Sequence, residues 1–358
     1  MRDVGEVFAG RYEFVEPIGH GGMGTVWIVW DVRDRVHRAA KLLRQSDAGS
    51  LIRFVREQAV RIDHDHLVTP RGWSAEDDRV LFTMDLVRGG SVHELIGDYG
   101  ALTASWTATL FDQLLLALEA VHGAGLVHRD IKPANLLLEP TGAARPHLRL
   151  GDFGVAVALD EPRLTHASTV LGTPGYRAPE QMAGADPSPV QDLWAAGIVL
   201  AEMLSGQRPP TNVETVPPKP PADVNQTLWR LARVMADPTP ERRPPSAAEV
   251  RGVLATTGLV AADGVAPDGG GAEIEVLEHI ALPAAVAHAS THDSRAAAEY
   301  APAPGSHSGA AEDSPPAPPA KPSVETDGPP RSKAAVFGWV AIVVGVVLVA
   351  FAGWLVVG

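Results

Sequence analysis

Residues 126–138, LVHRDIKPANLLL, constrain this chain more than any other stretch. Two cations, one carboxylate and one amide stand between apolar flanks that read as core. Charged groups beside a core are costly unless they are paired or used in chemistry. Asp130, Lys132 and Asn135 have the spacing H-R-D-x-K-x-x-N, and Asp152 follows in GDFG, further along the chain. Two carboxylates in this order can divide the work. One can orient a hydroxyl nucleophile and the other can hold Mg²⁺; oxygen ligands such as Asp152 and Asn135 suit that hard cation.

Upstream, IGHGGMGTV places Gly19, Gly21 and Gly24 at G-x-G-x-x-G spacing, followed by Val26. Glycines let a hairpin backbone approach phosphates without side-chain clash. Alone, the pattern also describes an ordinary Gly-rich turn. A dinucleotide site would need a helix directly after it, but TVWIVWDV reads as a strand. Lys41 lies in RAAKLL, on an apolar strand that follows this one. It either snorkels to solvent or faces an anion, which is a phosphate or a carboxylate. RFVREQAV supplies Glu57 on the next helical stretch.

Strand-like segments in residues 11–43 precede helical ones. ASWTATLFDQLLLALEAVHGAG has apolar residues at helical spacing and a glycine stop, and VQDLWAAGIVLAEMLSG reads as a buried helix. Strands first and helices after predict an α+β bilobal fold over residues 10–255. Residues 256–333 are rich in Ala, Pro, Gly and acids. From 257 to 330 the acidic residues far outnumber the basic ones, which are Arg295 and Lys321. Such a segment buries too little apolar surface to offset its ordering entropy, so it is expected to be a flexible linker, with a short helix at EIEVLEHIALPAAVA. Residues 334–358 carry no charge and, at about 1.5 Å per residue, exceed the ~30 Å hydrocarbon core of a bilayer. A transmembrane helix is expected there. Arg331 and Lys333 on its N-terminal side place everything before it in the cytoplasm.

The formal net charge of −13 argues against nucleic acid as a partner. Zero cysteines exclude disulfides, cysteine–zinc sites and a thiol nucleophile. The N-terminus, MRDVGEVFAGRYEF, contains no long apolar run, so no secretory signal is expected.

With the glycine loop, lysine, HRD and DFG in this order, the chain resembles the Hanks-type (eukaryotic-like) serine/threonine protein kinases, most closely their membrane-bound bacterial branch. The likeness continues in GTPGYRAPEQM, with Ala178, Pro179 and Glu180, in DLWAAG with Asp192, and in DPTPERRPPSAAEV with Arg243 set to pair with Glu180. It implies an N-lobe antiparallel sheet with one helix, a helical C-lobe, and ATP with Mg²⁺ (Mn²⁺ as the alternative) between them. Ile18, Gly19, Gly21, Gly22 and Gly24 then line the nucleotide. Lys41 holds the α- and β-phosphates and pairs with Glu57, and Met84 is the gatekeeper. Asp85 and Val87 offer hinge backbone groups to adenine, while Val26, Ala39 and Leu137 sandwich the ring. Asp130, Lys132 and Thr173 are catalytic; Asn135 and Asp152 bind metal.

Lys132 and Thr173 resemble the Ser/Thr subtype, so the implied activity is phosphorylation of Ser/Thr hydroxyls on proteins. Arg129 marks kinases switched by activation-loop phosphorylation, with Thr165, Ser168 and Thr169 as acceptors and self-association permitting autophosphorylation in trans. A membrane-anchored pseudokinase or nucleotide-responsive scaffold is the alternative, and the intact motif set argues against it. Residues 207–225 are proline-rich where the family usually places helix G, so that helix is expected to be short or absent.

Overall fold

The computed structural model describes residues 4–21, 24–44, 62–152, 157–158, 173–211, 220–271 and 273–282. Six antiparallel strands form the N-terminal sheet: β1 (Val7–Phe8), β2 (Tyr12–Gly21), β3 (Gly24–Asp31), β4 (Val36–Arg44), β5 (Pro70–Glu76) and β6 (Arg79–Met84). Their spatial order is β1-β2-β3-β4-β6-β5. Successive side chains in a strand point to opposite faces, so the sequence alternation decides what each face carries. Trp27 and Val29 of β3 share one face, in register with Ala40 and Phe14 respectively. With Phe8, Tyr12 and Leu81 they close a small buried core. The rings of Phe14 and Trp27 meet edge-on at 5.0 Å, a favoured aromatic geometry.

The opposite face pairs Val26 with Lys41 and Ile28 with Ala39, and Ala39 in turn with Met84. Leu43, on this same face, belongs to the larger core of the helical lobe. One alternation therefore builds a core on one side and turns a lysine and small apolar residues toward the helices on the other.

The helical lobe comprises α1 (Val92–Tyr99), α2 (Ala104–Gly123), α3 (Pro179–Met182), α4 (Pro189–Ser205), α5 (Gln226–Met235) and α6 (Ala247–Ala255). Short strands β7 (Leu126–Val127), β8 (Leu136–Leu138), β9 (Leu148–Leu150) and β10 (Val157–Ala158) lie between α2 and α3. α1 starts with a reciprocal capping box between Ser91 and Glu94. α4 starts at Pro189 and stops at Gly206 in the left-handed conformation. Every residue of α4 from Gln191 to Leu204 is buried. A helix that is apolar all round belongs at the centre of a lobe, and α4 packs on α2, α5 and β7.

The α+β bilobal expectation matches this architecture. The helical stretch expected around Glu57 lies outside the described residues; Ile62, which follows it, is buried. Between 207 and 225, no helix occurs among the described residues; α5 begins after the Asn225 cap.

One expectation needs correction. The packed chain does not end at residue 255. Residues 256–271 and 273–282 lie against the helical lobe, where a flexible linker was expected from 256. Ile274 and Val276 are buried in the main core, and Leu259 and Val260 pack on it. The helix expected from Glu273 is also absent up to Leu282. That stretch is extended, with Val276 bridged to Gly142. Among the described residues no helix is long and apolar enough to cross a membrane, and residues 334–358 lie outside them.

Candidate active site

The loop joining β7 to β8 carries the constellation singled out in the sequence, and Asp192 fixes its start. Asp192 is 1 % exposed. Its Oδ2 accepts from the His128 amide at 2.8 Å and from His122 Nε2 at 2.9 Å, and its Oδ1 accepts from the Arg129 amide at 2.8 Å. Burial alone would raise this carboxyl. The bonds from His122 and the Arg129 amide, with the nearby His128, outweigh burial and hold it below the usual carboxylate range.

Arg129 adopts φ +70° and Asp152 φ +59°, both left-handed. Non-glycine residues there cost about 1–3 kcal/mol each and persist only where their surroundings hold them. His128 ties the two strained positions together. Its Nε2 donates to the Gly151 carbonyl at 3.0 Å, and its Nδ1 accepts from the Asp130 amide at 3.4 Å. Complete burial keeps its pKa below the ordinary histidine value, so the ring stays neutral and can fill both roles.

Both oxygens of Asp130 are engaged. Oδ1 accepts from Thr173 Oγ1 at 3.1 Å and from the Thr173 amide at 3.2 Å. Oδ2 accepts from Lys132 Nζ at 2.8 Å and Asn135 Nδ2 at 3.0 Å. Lys132 Nζ also donates to Thr173 Oγ1 at 2.8 Å. Lys132 and Thr173 are distant in sequence, yet the three side chains form one closed triangle. Such a network fixes the direction in which the carboxylate points.

Asn135 Nδ2 makes a second bond to the Asp130 carbonyl at 2.7 Å. With the amide nitrogen committed, the side-chain Oδ1 is the atom left to ligate a cation. Across the cleft, Lys41 Nζ lies 2.5 Å from Asp152 Oδ1. Lys41 therefore faces an anion and does not snorkel to solvent. Its expected partner Glu57 lies outside the described residues. The oxygens of Asp152 and Asn135 suit a hard divalent cation of the kind that takes few protein ligands and completes its shell with water and phosphate oxygens. Among the described residues there is no group of three or more His, Cys, Asp or Glu that could hold a metal.

The nucleotide-lining positions fall on the β2–β3 hairpin and the hinge. Gly21 pairs with Gly24 at the hairpin end, while Gly22 lies outside the described residues. Gly24 has φ +143°, and a Cβ there would stand 2.3 Å from the Leu42 carbonyl oxygen, so the fold itself demands glycine. Gly19 differs: a Cβ there would only touch Val26 at 3.8 Å. The protein leaves that space open, as close approach by a ligand requires. Ile18, Val26 and Leu137 are half-buried, and Ala39 and Val87 are buried.

The Asp85 side chain is turned onto guanidinium groups. It accepts from Arg71 of β5 at 2.7 Å and Arg149 of β9 at 3.3 Å. Partial burial would raise its carboxyl, but the two arginines outweigh that and hold it down. The Asp85 backbone, not its side chain, is thus what the hinge has to offer. Sequence reasoning missed this clamp and the His122 contact, since neither has a local spacing. Glu180 and Arg243 pair as expected, through bonds of 2.7 and 2.8 Å. Arg243 also lies over the Trp194 ring at 4.9 Å. Thr165, Ser168 and Thr169 lie outside the described residues.

Comparison with known proteins agrees with this geometry. The protein kinase domain family matches residues 12–250. The chain is 34% identical to serine/threonine-protein kinase PkaA of Streptomyces coelicolor, over 78% of this chain and 54% of that protein. It is 32% identical to serine/threonine-protein kinase PknA of Mycobacterium tuberculosis, over 67% of this chain and 59% of that protein. With serine/threonine-protein kinase PrkC of Bacillus subtilis the identity is 35%, over 58% of this chain and 32% of that protein. The chain thus spans little more than half the length of the first two relatives. The match over 12–250, together with the Asp130–Lys132–Thr173 triangle and the Lys41–Asp152 pair, leads to one conclusion: the chain belongs to the protein kinase family, in its bacterial Hanks-type serine/threonine branch.

Proposed function

We propose that this chain transfers the γ-phosphoryl group of ATP to Ser and Thr hydroxyls of proteins, its own activation loop included, while tethered to a membrane with the catalytic domain in the cytoplasm. The observation that carries the reading is the closed triangle of Asp130, Lys132 and Thr173. A carboxylate held this firmly orients an incoming hydroxyl in line with a phosphorus atom, and positioning of that kind supplies most of the catalysis in phosphoryl transfer. Lys132 offsets charge that builds on the transferred group. Lys41, already placed against an anion, takes the α- and β-phosphates. Asp152 and Asn135 would hold Mg²⁺, which when bound would supply charge neutralisation for the phosphates. The intact set of Lys41, Asp130, Asn135 and Asp152 favours an active enzyme over a scaffold.

Autophosphorylation tests the enzyme reading. The purified full chain, given γ-labelled ATP and Mg²⁺, is expected to label itself on Thr165, Ser168 or Thr169. A phosphate there would pair with arginine and order the segment. Replacing all three with alanine should lower turnover of an added protein substrate several-fold. Phosphosites confined to residues 283–333, with turnover unchanged in the triple variant, would exclude control by this loop.

Tethering rests on residues 334–358, an uncharged run flanked on the N-terminal side by Arg331 and Lys333. The full chain is expected to sediment with membranes and resist carbonate extraction, and removal of 334–358 should release an active soluble kinase. Recovery of the full chain in the soluble fraction would overturn the tether.

A further inference from the structure

Residues 257–271 and 273–282 have no place in the phosphoryl-transfer machinery, yet they follow a defined course over the domain. The Ala261 amide donates to Thr109 Oγ1 at 2.9 Å, and Ser105 Oγ donates to the Leu259 carbonyl at 3.1 Å. Further on, Thr103 Oγ1 donates to the Asp268 carbonyl at 2.6 Å, and the Glu275 amide donates to Tyr99 Oη at 3.1 Å. The segment thus climbs from the start of α2 past the end of α1. It then joins the β8–β9 connection, where Val276 and Gly142 exchange two backbone bonds of 2.9 and 3.0 Å. It ends on the hinge. The Arg88 carbonyl accepts from the His279 amide at 2.8 Å and the Ile280 amide at 3.3 Å, and the Arg88 guanidinium pairs with Glu278.

Arg88 directly follows Val87, the hinge residue expected to meet adenine. Beside it, Gly89 is enclosed from two sides. A Cβ there would stand 2.6 Å from the Leu138 carbonyl oxygen and 2.8 Å from Val276 Cγ1. The Gly89 amide donates to Leu138 at 2.8 Å, and the Leu138 amide donates to Gly90 at 2.9 Å. Residues 88–90 are therefore held between β8 and the segment. On the other side, Arg71 and Arg149 hold Asp85. Among the described residues, the backbone hydrogen bonds to 88–90 come from β8 and from residues 279 and 280, and the latter arrive from the far end of the domain. Buried Ile274 and Val276, at i and i+2, seat the segment by hydrophobic contact, while the backbone bonds set its register.

We propose that residues 274–280 are a positioning strap for the nucleotide site. By holding the Arg88 peptide they keep the Val87 backbone in the orientation that receives adenine. This rests on the kinase reading above and goes beyond it: nucleotide affinity is set partly by a segment outside the 12–250 kinase match. Releasing the strap lowers the fraction of molecules with a binding-competent hinge. Apparent affinity then falls by that fraction, while the chemistry around Asp130 is untouched.

The test uses the full chain with Val276→Asp, Glu278→Arg, and the double exchange Arg88→Glu/Glu278→Arg. ATP affinity is read by calorimetry, KM and kcat by peptide phosphorylation, and hinge order by amide hydrogen exchange. Val276→Asp should raise Kd and KM for ATP by about tenfold, the value for a hinge competent about a tenth of the time. Its kcat should stay within about twofold, and exchange at residues 87–89 should quicken. Glu278→Arg should do the same more weakly, and the double exchange should restore the affinity. The Arg88–Glu278 pair is partly exposed, at 32 and 44 % of the two side chains, so its reversal leaves folding intact. Wild-type affinity and wild-type hinge exchange in both single variants would overturn the strap. Lost kcat at unchanged KM would also overturn it, by showing a merely structural role. A wild-type chain that binds no ATP would overturn the kinase reading and the strap with it; ATP binding insensitive to the variants overturns the strap alone.

Discussion

Asp130→Asn should retain the fold and ATP binding yet lose phosphoryl transfer by at least ~10², the lower scale for a positioned acid–base group. The side chains are nearly the same size, and the groups that surround Asp130 persist in the variant. What changes is charge and acceptor capacity. The carboxylate accepts from Thr173 twice on Oδ1 and from Lys132 and Asn135 on Oδ2. An amide has only one oxygen. If it faces Thr173, its NH₂ meets the Lys132 ammonium and Asn135 Nδ2, donor against donor. If it faces Lys132, the NH₂ meets the Thr173 amide. Either way one side of the triangle opens, Lys132 loses its counter-charge, and the hydroxyl loses its orienting anion. Single-turnover phosphorylation at saturating ATP, beside calorimetric ATP binding, separates the two effects. Turnover within a few-fold of wild type would remove Asp130 from the role given to it here.

The legible parts of this molecule are those whose chemistry is written locally. Asp130, Lys132 and Asn135 lie close together in sequence, and their spacing is visible because one short loop must carry all three. The β3–β4 alternation that puts Lys41 and Ala39 on one face and Ala40 on the other is equally local. The buried helix α4 announces itself by apolar residues around its whole circumference. Other features left no such mark. Arg71 and Arg149 meet on Asp85 from β5 and β9, strands separated by several intervening elements, so no spacing betrays the clamp. His122 on α2 likewise reaches Asp192 on α4 across a long stretch of chain. The packed segment after residue 255, of which the strap is the last part, was misread for a compositional reason. Its Ala, Pro, Gly and acidic residues resemble a linker, and few apolar side chains, Leu259, Val260, Ile274 and Val276 among them, pack on the core. Most of its hold comes from backbone amides and carbonyls paired with other elements, which nearly every residue type can provide. The signal that could have found it is the alternation in EIEV: Ile274 and Val276 both turn inward, as an extended segment requires and a helix does not.

Asp192→Asn is the second change of large expected effect, and its cause lies in folding more than in chemistry. Asp192 touches neither hydroxyl nor phosphate; it is a positioning residue that acts through His128 and Arg129. Three donors converge on its carboxylate in a site shielded from water: two backbone amides and His122 Nε2. The amide of Asn can satisfy one edge only, and its NH₂ must then oppose a donor on the other. Each buried donor left unpaired costs about 1–3 kcal/mol, so a loss on the order of 3 kcal/mol in unfolding free energy is expected. With the Asn oxygen turned to His128 and His122, Arg129 also loses the bond that holds its left-handed backbone, and Asp130 follows it in the chain. Turnover should fall even in molecules that remain folded. The pH dependence carries a definite sign. The Asp192 carboxyl lies below its unfolded range, so its contribution is fully present above the ordinary carboxylate pKa and is lost as pH falls through the lower folded value. Asn has nothing to titrate there. The stability gap between wild type and variant should therefore be widest near neutrality and narrow in acid below pH ~4. Urea unfolding at a series of pH values, with hydrogen exchange at the amides of residues 128 and 129, measures both consequences. A gap under about 1 kcal/mol near neutrality, smaller than the cost of one unpaired donor, or one that widens in acid, would show that the Asp192 carboxylate does not anchor the catalytic loop.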